Sequence, residues 1–143
     1  MLRRATRADG PAIALLFRRS FGTLTFVPTL HTPEEDREHF TSMAAEREVW
    51  VWEEDGRILG FAALHGDQVP ALYVEPDARG RGIGSALFEH LTERRPDGFR
   101  FWVFQRNERA RRFYERHGAV VIELTDGSGN EEREPDALYE WRP

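Results

Sequence analysis

Ala71-Leu72-Tyr73-Val74-Glu75-Pro76-Asp77-Ala78-Arg79-Gly80-Arg81-Gly82-Ile83-Gly84-Ser85-Ala86-Leu87 is the stretch on which the reading of this chain turns. An apolar run rich in strand-forming residues stops at Pro76, three glycines alternate with other residues, and a helical apolar period opens at Ile83 and Leu87. The pattern is a strand, a glycine-rich turn and a helix. Successive backbone N–H groups at a helix N-terminus, aided by the helix dipole, form an anion site. Glycines at 80, 82 and 84 remove Cβ atoms that would hold a diphosphate at a distance, and Arg79 and Arg81 add positive charge.

Three phosphate-binding patterns compete for this loop. A P-loop needs Gly-Lys-Ser/Thr, and the chain contains no lysine. A dinucleotide fingerprint begun at Gly80 needs glycine where Ser85 stands, and begun at Gly82 it needs glycine where Leu87 stands. The remaining pattern, Arg/Gln-x-x-Gly-x-Gly/Ala, is met by Arg79-Gly80-Arg81-Gly82-Ile83-Gly84, with Val74-Glu75-Pro76 just before it.

Downstream, Asn107-Glu108-Arg109-Ala110-Arg111-Arg112-Phe113-Tyr114-Glu115-Arg116-His117-Gly118-Ala119 forms the second informative segment. Ala110, Phe113, Tyr114 and His117 share one helical face. Glu108 with Arg112 and Arg111 with Glu115 stand at i,i+4, the ordinary pattern of an exposed charged face.

Outward from these two segments, Leu2–Thr6 reads as a strand and Ala8–Phe21 as a helix, with Asp9 as N-cap and Pro11 in the first turn. Gly22–Thr32 is a loop, and Thr32-Pro33-Glu34-Glu35 starts a helix that runs to about Arg47. Strands are expected at Val49–Glu53, Arg57–His65 and Val69–Glu75, the first two joined by Glu54-Asp55-Gly56. A helix from Ile83 to about Arg95, a strand Phe99–Phe104, a helix Asn107–His117 and a strand Ala119–Leu124 follow. Thr125–Asp136 is a polar connection, and Ala137–Trp141 is the last strand. The order β-α-α-β-β-β-α-β-α-β-β predicts an α/β (α+β) fold, one domain over residues 1–143 with a single central sheet flanked by helices.

Composition narrows the function classes. The 143 residues are 40% hydrophobic and 31% charged, as in a soluble globular domain. No apolar run approaches the roughly 20 residues of a membrane span. The first residues lack the uninterrupted apolar core of a signal peptide. The absence of cysteine excludes disulfides, thiolate metal sites and a cysteine nucleophile, and is compatible with a cytoplasmic location. A net charge of -5 argues against nucleic acid as the main partner and favours cationic small molecules or basic peptides.

Taken together, the two segments resemble the GCN5-related N-acetyltransferase (GNAT) superfamily. Arg79–Gly84 resembles its coenzyme A diphosphate loop. Asn107–Ala119 resembles its Asn-x-x-Ala-x-x-Phe-Tyr-x-x-x-Gly-Phe motif, with Ala119 in place of the last aromatic. The resemblance implies a single mixed, mostly antiparallel sheet in which the strand holding Leu72-Tyr73-Val74 splays from the strand Phe99–Phe104. It implies acetyl-coenzyme A (acetyl-CoA) as cosubstrate and no metal. The backbone of Leu72, Tyr73 and Val74 would hold the acetyl-pantetheine arm, and Arg79, Gly80, Arg81, Gly82, Ile83, Gly84 and Ser85 the diphosphate. Asn107 would contact the pantetheine and Tyr114 would protonate the departing thiolate.

The acceptor is then a primary amine on a small molecule or peptide, attacked in a direct ternary complex; the rival is an acyl-CoA-binding or sensing module without chemistry. Homodimers are common in the family, which extends that expectation here. Family members often carry a carboxylate as base early in the splayed strand, where this chain has Gln68; His65 and Asp67 are the nearby substitutes. Acceptor recognition is expected from Gly22–Thr32 and Asn130–Asp136.

Overall fold

The structure, a computed structural model, describes residues 1–143. Its elements are β1 (Leu2–Arg4), α1 (Gly10–Phe21), α2 (Pro33–Glu46), β2 (Glu48–Glu54), β3 (Arg57–His65), β4 (Gln68–Val74), α3 (Ile83–Arg94), β5 (Phe99–Phe104), α4 (Glu108–Arg116), β6 (Val120–Leu124) and β7 (Asp136–Trp141). The expected order of elements holds. Two short 3₁₀ turns, Arg7–Asp9 and Pro76–Ala78, are added to it.

Local chemistry sets the helix starts. At α2, Thr32 Oγ1 accepts from the Glu35 backbone N–H at 3.1 Å, and the Glu35 carboxylate accepts from the Thr32 N–H at 2.8 Å. Such a reciprocal cap is worth about 1 kcal/mol. Asp9, expected to cap α1, does not. Its carboxylate folds back onto the Thr6 N–H at 2.8 Å and pairs with Arg3 at 2.9 Å, because Arg7–Asp9 already turn as a 3₁₀ segment before α1 begins.

All seven strands join one sheet in the order β1-β2-β3-β4-β5-β7-β6. Every neighbouring pair is antiparallel except β4 with β5. β3 lies centrally and is buried on both faces from Ile58 to Leu64, which accounts for its apolar run without alternation. One core packs α3 and α4 on β3, β5 and β7 around Leu87, Phe88, Leu91, Phe101 and Tyr139; the other packs α1 and α2 on β2 and β3 around Ile13, Leu16, Phe40 and Phe61. The apolar face of α4 sits on the first core, with Tyr114 4.3 Å from Phe101 and 5.9 Å from Phe88 between ring centroids.

The exposed-face reading of α4 is corrected for one pair. Arg111 and Glu115 do not meet directly. The buried Tyr139 hydroxyl accepts from Arg111 Nε at 2.9 Å and donates to Glu115 at 2.5 Å, so the phenol satisfies its polar tip by joining the two charges. Arg112 approaches Glu108 only to 3.9 Å.

Candidate active site

The site begins as a missing set of hydrogen bonds. β4 and β5 are parallel neighbours, yet their register holds only at Gln68 and Arg100, reinforced by the Arg100 N–H donating to the Asp67 carbonyl at 2.9 Å. Beyond that point the strands diverge. On its other side β4 stays paired with β3 from Ala71 to Val74. The Glu75 N–H donates to the Leu59 carbonyl at 2.8 Å, so with this register residues 71, 73 and 75 bond toward β3. Leu72 and Val74 therefore direct their N–H and C=O groups into the gap, where β5 offers no partner. Unpaired backbone groups in a sheet interior are costly unless water or a ligand takes them. An extended chain carrying amides is the ligand such an edge fits.

At the end of β4 the chain is pinned. The Glu75 carboxylate is 2% exposed and accepts a two-pronged grip from Arg19 of α1 at 2.5 and 2.7 Å, the geometry that offsets the cost of burying a charge. The glycine loop then turns with Gly80 at φ +81° and Gly82 at φ +84°, left-handed conformations that L-residues with side chains resist. Gly84 is small for another reason: a Cβ there would stand 3.3 Å from the Phe113 ring, so this glycine seats α3 against α4. No side chain caps α3, which leaves its first-turn N–H groups free for an anion.

The two loop arginines part company. Arg79 lines the cleft, bonded only to the hydroxyls of Ser20 at 3.1 Å and Thr23 at 3.4 Å. Burial and the neighbouring Arg109 hold its pKa below the ordinary guanidinium value. A partly buried cation without a counter-charge in a cleft awaits an anion. Arg81 lies outside the cleft lining, with its guanidinium on Glu54 at 2.7 Å. Arg109, Arg112 and Arg116 of α4 also line the cleft, Arg109 close enough for its charge to act on Arg79. No motif position marks Arg109 in the sequence, although its place two residues after Asn107 sets it on the first turn of α4.

Leu72, Tyr73, Val74, Arg79, Gly80, Gly82, Ile83, Gly84, Ser85, Asn107 and Tyr114 are thus brought to one cleft of about 1230 Å³, larger than the roughly 300–1,000 Å³ typical of a single small-ligand pocket. Ile83 contributes through its backbone, since its side chain is in the core. Asn107 is the N-cap of α4: its Oδ1 accepts from the Ala110 N–H at 3.2 Å, leaving its amide NH₂ for a ligand. Ser85 Oγ lies 3.0 Å from His117 Nε2, and His117 Nδ1 lies 2.8 Å from the Phe113 carbonyl. Nδ1 must therefore donate, and in the neutral ring Nε2 accepts from Ser85. Neither the Tyr114 nor the Tyr73 hydroxyl has a hydrogen-bond partner within the protein. Burial, followed by the charge of Tyr73, pushes the Tyr114 phenol well above its ordinary pKa; burial and the Glu132 carboxylate push Tyr73 up to about 12.

Two loops, those expected to meet the acceptor, line the cleft. They are the segment between α1 and α2 and the segment between β6 and β7, and they touch where His31 Nε2 meets the Glu131 carboxylate at 2.8 Å. Glu131 holds the His31 imidazole above its ordinary pKa. Arg106 fastens the same pair of loops from below, bonding Glu134 at 2.7 Å and the Phe26 carbonyl at 3.3 Å. The base expected near the start of β4 is not there. Gln68, His65 and Asp67 all lie outside the cleft, because the β3–β4 turn sits at the closed end of the gap, where His65 meets Arg47 at 3.0 Å and Asp67 accepts from Gln68 at 3.3 Å.

Comparison with known proteins agrees with this geometry. Residues 45–118 match the model of the acetyltransferase (GNAT) domain. The chain is 39% identical over 80 residues to the peptidyl-lysine N-acetyltransferase YiaC of Escherichia coli, a match spanning 55% of this chain and 54% of that protein, about half the length of each. It is 32% identical over 122 residues to the peptidyl-lysine N-acetyltransferase YjaB of Salmonella typhimurium, covering 84% of this chain and 83% of that one. The solution structure of apo-form YjaB from Escherichia coli superposes with a TM-score of 0.80 at 26% identity, over 99% of this chain and 96% of that one. With a splayed β4, a glycine loop opening α3 and a partner-free tyrosine facing the gap, the chain belongs to the GNAT family of N-acetyltransferases.

Proposed function

We propose that this protein moves the acetyl group of acetyl-CoA to the side-chain amine of a peptide lysine, by direct attack within a ternary complex. One observation carries the reading: the unpaired backbone edge at Leu72 and Val74 opens beside a tyrosine hydroxyl with no internal partner. An amide-bearing pantetheine arm fits that edge as an added strand. The free amides of the α3 N-terminus and the Arg79 guanidinium suit the diphosphate, with Arg109 at hand for further phosphate charge. The Asn107 NH₂ is placed for an amide carbonyl of the arm.

The chemistry follows from the remaining groups. N–H groups at the β4 edge near Val74 polarise the thioester carbonyl, and dipoles fixed in advance around a reacting carbonyl often lower the barrier to acyl transfer more than any other group does. Tyr114 supplies a proton to the leaving sulfur. Its raised pKa keeps it protonated throughout the working pH range, and the same burial that weakens it as an acid also destabilises a naked thiolate beside it. With no cysteine in the chain, a thiol acyl-enzyme has no place in the scheme.

The acceptor enters between the two loops, past Glu131 and Glu132. This acidic rim favours a lysine ammonium, and YiaC and YjaB are named as peptidyl-lysine N-acetyltransferases. Calorimetric titration with acetyl-CoA should give saturable heat, and thiol release should rise with lysine-containing peptides well above that with neutral amino acids. Absence of both heat and thiol release would overturn the assignment.

A further inference from the structure

A lysine amine of pKa about 10 is only about one part per thousand neutral at pH 7, a deficit of about three powers of ten that a base must recover. The family position for that base holds an amide, and the neighbouring candidates are outside the cleft. We propose that Glu132 is the group that takes the proton from the acceptor ammonium. This rests on the acetyl-transfer reading above and adds a catalytic residue to it.

The cleft carboxylates differ in how they are employed. Asp36 is spent on Arg18 at 2.7 Å, Glu131 on His31 at 2.8 Å, and Asp136 on Thr125 and on Asn130 at 3.2 Å. Glu123 stands exposed on the edge strand β6. Glu132 lines the cleft, is half-buried and forms no ion pair; its one side-chain neighbour in hydrogen-bonding reach is the Glu131 carboxyl. Burial, with the like charge of Glu131, raises its pKa above the ordinary carboxylate value, which brings a base nearer its working pH. Its position is also right. Glu132 lines the same cleft as Leu72, Val74 and Tyr114, and its charge reaches the Tyr73 phenol on β4. The groups facing Glu132 are Glu131 on its own loop, His31 on the opposing loop and Tyr73 on β4.

Two protons leave the acceptor nitrogen. Glu132 takes one from the ammonium and later releases it to solvent. The neutral nitrogen bonds to the thioester carbonyl carbon, the carbon–sulfur bond breaks, and the sulfur takes the Tyr114 proton. The second proton lost by the nitrogen restores Tyr114 through solvent.

The test is the pH profile of Glu132→Gln and Glu132→Asp with acetyl-CoA and a lysine peptide, alongside acetyl-CoA affinity and melting temperature. The Gln variant should lose about 10²-fold in kcat at pH 7, with the deficit shrinking as pH approaches 10. The Asp variant should recover part of it, and acetyl-CoA affinity and melting should not change. An unchanged kcat profile, or a rise in KM alone, would overturn the role of Glu132 while leaving the acetyl-transfer reading intact. A natural protein that binds acetyl-CoA but acetylates no amine would overturn both.

Discussion

Tyr114 shows how a single side chain can be legible in a sequence and still gain its meaning from the fold. Its face of α4 is apolar, and a tyrosine there is ordinarily core. What distinguishes it is that the ring packs on Phe101 and Phe88 while the hydroxyl, on a residue that lines the cleft, is left without a partner. A buried phenol normally finds one, as Tyr139 does between Arg111 and Glu115. Tyr114→Phe keeps the packing and removes only the proton, so kcat should fall about 10²-fold or more with acetyl-CoA affinity held within about twofold. Steady-state kinetics beside calorimetry reads the two separately. Because burial raises the Tyr114 pKa, its protonated form persists to high pH, and no basic limb below about pH 10 should be assignable to it. Glu132 is hidden for the opposite reason. In the sequence it is one acid in the run Glu131-Glu132-Arg133-Glu134, and only the structure shows that Glu131 and Glu134 are paired with His31 and Arg106 while Glu132 is not.

The β4 strand carries the site through its backbone, and here a prediction concerns amides instead of side chains. In the free protein the N–H groups of Leu72 and Val74 should exchange with solvent much faster than those of Ala71 and Tyr73, which bond to β3. Saturating acetyl-CoA should slow the first pair and leave the second nearly unchanged; equal protection of all four without ligand would show that the gap is closed. The element order, the α2 cap and the glycine loop are all readable in the sequence, because each depends on neighbours in the chain: Thr32 with Glu35, Gly80 and Gly82 with their own φ angles. The splay of β4 from β5 is a relation between strands about 30 residues apart, and no local period encodes it; family likeness alone supplies it. The misplaced base has the same origin. Gln68, His65 and Asp67 are close to Leu72 along the chain, but a strand carries its first residues away from its last at about 3.3 Å per residue, and the turn lies at the wrong end of the gap. The fate of Arg81 depends on Glu54, 27 residues earlier, which local reading does not reach.

At the scale of the whole molecule, ion pairs tie the layers together across long stretches of sequence. Arg19 holds β4 to α1 through Glu75, Arg18 holds α1 to α2 through Asp36, and Glu48 of β2 takes Arg94 at 2.6 Å and Arg95 at 3.4 Å from the end of α3. Burial by itself would raise the Glu48 pKa, but hydrogen bonds from Arg94 and Trp50 win and hold it at about 2 instead of 4.5. A carboxylate whose folded-state pKa is depressed stabilises above its unfolded value and loses that contribution as pH falls toward the folded one. Solvent screening on the Arg94 side, where the guanidinium is half-exposed, reduces the clamp to about 1–2 kcal/mol. That contribution is present above pH 4.5 and gone near pH 2. Glu48→Gln should therefore lower the melting temperature by roughly 3–8 °C at about pH 7, with the gap between variant and natural protein closing below about pH 4; a gap independent of pH would refute the clamp. Every one of these bridges is built on guanidinium, for the chain has no lysine. An N-acetyltransferase without lysine thus offers its own cosubstrate no side-chain amine to modify. Even long exposure to concentrated acyl donor would leave its scaffold charges intact, and acetyl-lysine found in such a mixture would belong to another protein.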